Sequence, residues 1–469
     1  MAHLELSSTD IAAFTARFSG AVIGPDADEY DAARHVWNGM IDRYPALVVR
    51  PRTADDVAAA IRLAQDHDLP LAVRGGSHNV AGSGVCDTGV VIDLRELSDV
   101  VVDPSVGTIR AGGGCTWAQL DAAAAEHGLA TTGGLVSTTG VGGLTLGGGI
   151  GWLVRAYGFS SDTLISAEVV TAEGKTVVAS DSENADLFWA LRGGGGNFGV
   201  VTGFTFQGHP VSTVLGGLML YRGDRAAEVL AAYAEWVPEV PEEMTTLAAF
   251  LTAPPAPFVP ESLQFQPAFA IVLCHVGDHD AGQAVLAPLR ASCPPDADAV
   301  GPMPYRVLQG MLDGGAPHGQ RNYWKSGYLS ELGAGLQAEL VAAAGRMPTP
   351  FDQIHLHQLG GAAATNTSGA IGHRDAAFAV NVIGAGFEPE HDAPNTAWVR
   401  ETWAAVGPAT SGAYVNFLAG DDTDRVRSAY GAHVWDRLRQ VKRAWDPDNV
   451  FRINHNIPPT SSASARQFV

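Results

Sequence analysis

The residues with the greatest chemical promise lie in and around four glycine-rich segments: RGGSHNVAG (74–82), AGGGCTW (111–117), TTGGLVSTTGVGGLTLGGGIGWL (131–153) and RGGGGNFGVVTGF (192–204). Consecutive glycines let several backbone N–H groups converge on an anion or a flat ring, because a Cβ would block the approach. A pyrophosphate is the obvious ligand for such loops. One imidazole, His78, sits inside the first segment, where it is either a loop histidine that hydrogen-bonds or a group with a chemical task. Further along, QIHLHQL (353–359) alternates with period two, placing Gln353, His355 and His357 on one face and Ile354 and Leu356 on the other. That polar face either lines a pocket or faces solvent. FAVNVI (378–383) sets Ala379 and Asn381 opposite Phe378, Val380 and Val382, and AYVNF (413–417) lets Tyr414 and Asn416 alternate together.

Short β-branched runs bounded by turn residues separate the glycine loops: 46–49, 71–73, 90–94, 108–111, 165–171 and 176–179. Helical patterns intervene, DDVAAAIRLAQDHDL with Thr53 before it and TWAQLDAAAAEHGL with Thr116 as N-cap and Gly128 as terminator. Residues 216–410 carry longer alternating runs, 266–276, 353–359 and 378–383, between proline-rich loops, which predicts an antiparallel sheet with helices on one face. A last zone holds a strand-like GAYVNFL, an amphipathic VRSAYGAHVWDRLRQVKRAW and DPDNVFRINHNIPP, with the tail SSASARQFV expected to be disordered. The fold class expected is α+β.

Composition narrows the function. A chain of 469 residues with 46% hydrophobic and 17% charged residues has enough material for two domains with sizeable cores. A net charge of -21 without a basic run argues against nucleic acid and acidic membranes as partners. The opening MAHLELSSTDIAAFTARF shows no charged leader ahead of an apolar core, and no run of eighteen apolar residues follows, so a cytoplasmic location is expected. Cys86, Cys115, Cys274 and Cys293 are scattered; neither a metal site nor a disulfide framework follows from their spacing. GVGGLTLGGGIG imitates a dinucleotide-binding GxGxxG element, but it follows more than 130 residues of other structure instead of closing a strand early in a βαβ unit.

The four motifs RGGSHNVAG, GGLVSTTGVGGLTLGGGIGWLVRAYG, DLFWALRGGGGNFGVVT and DPDNVFRINHNIP, in this order over residues 40–459, resemble the berberine-bridge-enzyme-like branch of the FAD-linked oxidases, with their vanillyl-alcohol-oxidase (PCMH-type) FAD-binding fold. The resemblance implies a two-part FAD-binding domain: residues 1–215 with a core at about 42–212, completed by 411–469 returning to it. A substrate domain, 216–410, is inserted between the parts and roofs the pocket. His78 takes the place of the covalent histidine joined to the flavin 8α-methyl group, where a neutral ring nitrogen attacks an electrophilic flavin carbon; the tether raises the flavin's potential. Contacts to FAD are implied for Arg74, Gly75, Gly76, Ser77, Asn79 and Gly82 of the first motif. The second contributes Thr132, Gly133, Val136, Thr139, Gly140, Gly142, Gly143, Gly148, Gly149 and Trp152, the third Val200. Asn454 and Asn456 hold the flavin from the side opposite the glycine loops, although as plain sequence an Asn pair near proline is a turn.

Departures from the family pattern are informative. Val136 stands where many relatives carry a second, cysteinyl link, so a single covalent bond to FAD is expected. Thr139 takes the place of the gatekeeper to oxygen, and being nearly the volume of valine it favours an oxidase that forms hydrogen peroxide. Ile150 replaces a tyrosine used by some relatives as a base. The substitutes are the His355 and His357 face and Tyr414, with Asn381 at a position that is polar and substrate-facing in relatives. The expected partners are a small organic molecule, polyketide- or alkaloid-like, and oxygen, acting on a monomer or homodimer. A dehydrogenase, an oxygenase or cyclase, and a non-catalytic binding protein are the alternatives.

Overall fold

The computed structural model describes residues 6–461, so all but the first residue of the C-terminal tail lies outside the described residues. Strands and helices form where local signals are strongest. Thr53 accepts from Asp56 N and Asp56 answers to the Thr53 backbone, capping the helix Ala54–Asp66. Thr116 and Gln119 do the same for Trp117–Ala125, and Gly128 follows with φ near 67°. Such reciprocal caps satisfy main-chain N–H groups that a helix start leaves unpaired.

Two sheets build the first half. Ala21–Ile23, Leu47–Arg50, Val90–Asp93 and Leu71–Arg74 form a mixed four-stranded sheet whose last three strands run parallel. Val100–Asp103, Thr108–Gly112, Val200–Gln207, Leu164–Val170 and Thr176–Ser180 form an antiparallel five-stranded sheet. The glycine segments connect these sheets and cross at backbone contact. A Cβ on Gly76 would lie 2.2 Å from Gly140 N, and one on Gly140 would lie 2.2 Å from Gly76 N, so neither position tolerates a side chain.

The middle of the chain forms a third, larger sheet, eight strands with Thr213–Arg222, Pro267–His275, Met244–Thr252, Gln353–Gln358, Phe378–Gly386 and Arg321–Leu329 as its main path. Period-two alternation divides its residues cleanly. Ile271, Leu273, Ile354, Leu356, Val380 and Val382 pack with Leu230, Leu286, Leu340 and Val399 of four covering helices, Ala226–Trp236, His279–Ser292, Ala334–Ala344 and Asp392–Val406. The opposite face looks toward the glycine loops. Asn38 clamps the arrangement, its amide donating to the Val80 and Asn322 carbonyls while its oxygen accepts from Asn322 N.

The closing segment departs from expectation at GAYVNFL, which is a 3₁₀ turn at Val415–Phe417 and not a strand. The cause is tertiary: the Tyr414 hydroxyl and the Asn416 amide reach back to the Gly149–Ile150 backbone and to Leu144 O, which curls the chain between them. The amphipathic run forms Val426–Trp445 with a non-helical break at Gly431. At its end Lys442 and Asp446 pair at 2.6 Å with no exposed surface. Lys442 also donates to the Asn197 and Phe451 carbonyls and Asp446 accepts from Val450 N and Phe451 N. This satisfied buried pair pins the closing motif to the fourth glycine segment.

Candidate functional site

Between the glycine loops below and the large sheet above lies a cavity of about 780 Å³. His78 forms part of its wall. Ser77 before it holds φ near 59°, a left-handed conformation uncommon for a residue with a Cβ, and so turns the chain ahead of the imidazole. The ring stacks on Trp37 with centroids 5.1 Å apart and 18° between planes. Thr138 Oγ1 stands 3.0 Å from Nε2 and Thr139 Oγ1 3.5 Å from Nδ1. Burial, followed by the nearby His318, pushes the His78 pKa down to about 4, so the ring is neutral at physiological pH.

Of the residues singled out in the glycine motifs, Arg74, Gly75, Gly76, Ser77, Asn79, Val136, Thr139, Gly140, Gly142 and Gly143 line the cavity. Arg74 contributes no free charge, because its guanidinium pairs with Asp93 at 2.9 Å and donates to the His35 carbonyl. Gly82, Thr132, Gly133, Gly148, Gly149, Trp152 and Val200 are not on the cavity surface. The Thr132 hydroxyl donates to Gly158 O, a side chain on Gly133 would strike Trp117, and Gly149 N donates to Tyr414. Asn454 lines the cavity and donates to the Gly196 carbonyl at 3.1 Å, so the closing motif lies against the fourth glycine segment rather than across from it. Asn456 is set back from the surface. The buried oxygens Asn454 Oδ1 and Asn456 Oδ1 and the nitrogen His455 Nε2 have no protein partner.

The ceiling brings together the other predicted residues. Gln353, His355, His357 and Asn381 face the cavity, and His355 sits directly opposite Asn381 in the strand register. His355 Nε2 lies 2.6 Å from Gln353 Oε1, which fixes the proton on Nε2 and leaves Nδ1 as an acceptor. Burial lowers both histidines, His355 to about 4. Both ring nitrogens of His357, Asn381 Oδ1 and Ser326 Oγ are buried without partners. The Tyr414 oxygen receives three N–H groups: Gly149 N at 2.9 Å, Ile150 N at 3.1 Å and Asn416 Nδ2 at 2.9 Å. Burial holds the phenol above its usual pKa while those hydrogen bonds pull it down.

Sequence reasoning missed Trp37, Trp324 and Phe417, whose ring contacts, stacked on His78, edge-on among themselves and tilted against His357, extend the aromatic wall from His78 to His357. It also missed Thr138 as a partner of His78. Nothing local marks Trp37, which lies outside all four motifs; Thr138 sits beside a residue already chosen and was reachable by asking what holds the imidazole.

The residues present fit a flavin dinucleotide. The cavity wall carries the neutral His78 imidazole and the glycines Gly143 and Gly196, beside which a Cβ would meet open space, so a side chain there would take up room that a large flat-ringed cofactor needs. Architecture and site thus define an FAD-binding oxidoreductase of the PCMH type. Two family models agree, an FAD binding domain matching residues 45–180 and a berberine and berberine-like domain matching 413–458. The chain is 32% identical to (R)-6-hydroxynicotine oxidase of Paenarthrobacter nicotinovorans, covering 94% of this chain and 97% of that protein. It is 30% identical to an FAD-linked oxidoreductase of Dictyostelium discoideum, covering 95% and 96% respectively. The crystal structure of 6-hydroxy-D-nicotine oxidase from Arthrobacter nicotinovorans matches with a TM-score of 0.85 at 29% identity, covering 94% of this chain and 98% of that one. The chain belongs to the berberine-bridge-enzyme-like family of FAD-linked oxidoreductases. Among the described residues no helix is long and apolar enough to cross a membrane.

Proposed function

We propose that this chain carries one FAD through a single bond to His78 and oxidises a small organic ring compound of the polyketide or alkaloid kind, with oxygen as the final acceptor and hydrogen peroxide as product. The observation that carries this reading is the setting of His78: a neutral imidazole at the cavity wall, stacked on Trp37, with a threonine hydroxyl beside each ring nitrogen. In the tautomer that carries its proton on Nε2, the ring donates to Thr138 Oγ1 and keeps a lone pair on Nδ1, the form able to bond to the flavin. Bound FAD supplies the two-electron acceptor that no side chain provides.

The single link is supported by the cavity's lining. Val136 is on the wall, whereas Cys86, Cys115, Cys274 and Cys293 are all buried away from it, and burial raises the Cys115 thiol to about 12. A thiol held protonated is a poor nucleophile. Thr139 is on the same wall, and its volume, close to that of valine, supports the oxidase reading. Tyr414 and His355 are the groups placed to take a substrate proton, and Asn381 to orient the substrate. Acid precipitation of the purified protein should leave the yellow colour in the pellet, and His78→Ala should release it to the supernatant. A flavin-bearing peptide containing Cys115 would refute the assignment.

A further inference from the structure

The cavity face of the large sheet is divided along a line between two adjacent strands. On Thr213–Arg222, Pro267–His275 and Met244–Thr252 the cavity-facing positions are the buried aliphatic Leu218, Leu220, Ala270, Val272, Leu247 and Ala249, with the half-buried Leu251 and Thr252 at the end of the last strand. On Gln353–Gln358, Phe378–Gly386 and Arg321–Leu329 they become Gln353, His355, His357, Asn381, Asn322 and Trp324, with Ile383 as an apolar exception. Met244–Thr252 and Gln353–Gln358 are neighbours, with Ala249 directly opposite His355, so the change occurs across one strand pair. Charge is the second observation. Among the described residues, Arg74 is the one Asp, Glu, Lys or Arg on the cavity wall, and its guanidinium is bound to Asp93.

We infer that the substrate is an uncharged two-ended molecule, with an apolar ring or chain lying under the aliphatic strands and a hydroxyl or neutral nitrogen meeting His357 and Asn381. The inference rests on the flavoenzyme reading for which end reacts, since His357 packs against Phe417, which packs in turn on Tyr414. Recognition follows from desolvation. A carboxylate or ammonium group entering here would leave water without an opposite charge to meet it, which costs far more than a neutral polar group does. An oligosaccharide would press hydroxyl groups against six aliphatic side chains that can accept or donate nothing. A neutral hydroxyl, in contrast, meets Asn381 Oδ1 and the two His357 nitrogens, which have no protein partner. Both histidines stay neutral because burial depresses them, so they add no charge of their own.

The test uses the full chain and four probes, three that share one ring system, 2-naphthol, naphthalene and 2-naphthoate, and the disaccharide cellobiose. Binding is read at pH 7 from the flavin absorption bands and independently from tryptophan fluorescence, Trp37 and Trp324 being on the wall. 2-Naphthol should bind on the order of tenfold more tightly than 2-naphthoate or cellobiose, and several-fold more tightly than naphthalene. Asn381→Leu and His357→Leu should each erase the preference for 2-naphthol over naphthalene while naphthalene affinity holds, which an unfolded variant could not show. Equal or tighter binding of 2-naphthoate or cellobiose overturns the inference, as does absence of any 2-naphthol signal. Flavin attachment is scored separately from the acid pellet. A colourless protein would refute the flavin assignment and leave the fluorescence result to judge the ceiling.

Discussion

If Tyr414 accepts a proton during substrate oxidation, the pH dependence of flavin reduction will say so before any mutation is made. A hydroxyl oxygen has two lone pairs, yet three N–H donors, Gly149 N, Ile150 N and Asn416 Nδ2, converge on Tyr414 within 3.1 Å. The negative form of the oxygen uses all three donors, so the geometry favours it, whereas burial favours the neutral phenol and prevails, leaving the pKa above its ordinary value of 10.0. A base that titrates above about pH 10 is mostly protonated at pH 6–9, so the anaerobic reduction rate should climb roughly tenfold per pH unit across that range. His355 makes the opposite forecast. With its pKa pushed down to about 4 by burial, it is already neutral at pH 6 and a rate that depends on it stays flat to pH 9.

Tyr414→Phe should then lower the reduction rate by about 10²–10⁴ and abolish the slope. It also strips the acceptor from two main-chain N–H groups, a loss of about 1–3 kcal/mol for each if it remains buried and unpaired. The variant should therefore melt at a lower temperature, and the rate must be measured well below that midpoint by stopped-flow bleaching of the flavin. A flat wild-type profile together with a loss under threefold would refute Tyr414 as the base. A large loss in His355→Ala alone would assign the role to the imidazole.

Two further outcomes are expected. Thr139→Leu narrows the cavity beside His78 and should slow reoxidation of the reduced enzyme in air-saturated buffer while leaving anaerobic reduction nearly unchanged; wild-type enzyme that stays reduced for minutes would favour a dehydrogenase. Asp121, buried and bonded through one oxygen to Gln309 Nε2, is raised by burial to about 7 from an ordinary 3.8, so between those values the folded state holds a proton that the unfolded state has released. Its contribution is present in full below pH 4 and lost as pH rises through 7, amounting to about 4 kcal/mol at most. Urea titrations from pH 4.5 to 7.5 should show wild type losing stability relative to Asp121→Asn, and a difference between the two that does not change with pH would refute the assignment.

Local signals carried far in this chain. Thr53 and Thr116 mark helix starts because their hydroxyls answer a need that exists before any tertiary contact, and QIHLHQL displays its two faces because pleating alone separates odd from even residues. What sequence did not reveal depends on distant contacts. GAYVNFL has strand-like composition, but hydrogen bonds from Tyr414 and Asn416 to residues more than 260 positions away coil it. Asn454 meets Gly196 because Lys442 and Asp446 draw the closing motif onto that loop, and no local pattern announces where a buried ion pair will dock its neighbours. Trp37 reaches His78 across 41 positions by the fold of the first sheet, in the same way that Asp121 meets Gln309 across 188.

The large sheet shows why its cavity-facing surface can vary without loss of the fold. Its helix-facing residues, Ile354, Leu356, Val380 and Val382, are fully buried in a packed core, where removing even a few methyl groups costs stability. The cavity-facing residues of the same strands, His355, His357 and Asn381, lie outside that core, and His357 and Asn381 leave polar atoms unpaired, which is a cost to folding unless a ligand meets them. Register ties the two sets together, since His355 opposite Asn381 requires Ile354 opposite Val382, and a slip of one residue would turn the imidazoles into the helices. The apolar set therefore fixes where the polar set points, and substitutions confined to the cavity face leave intact the helix packing that holds the sheet in register.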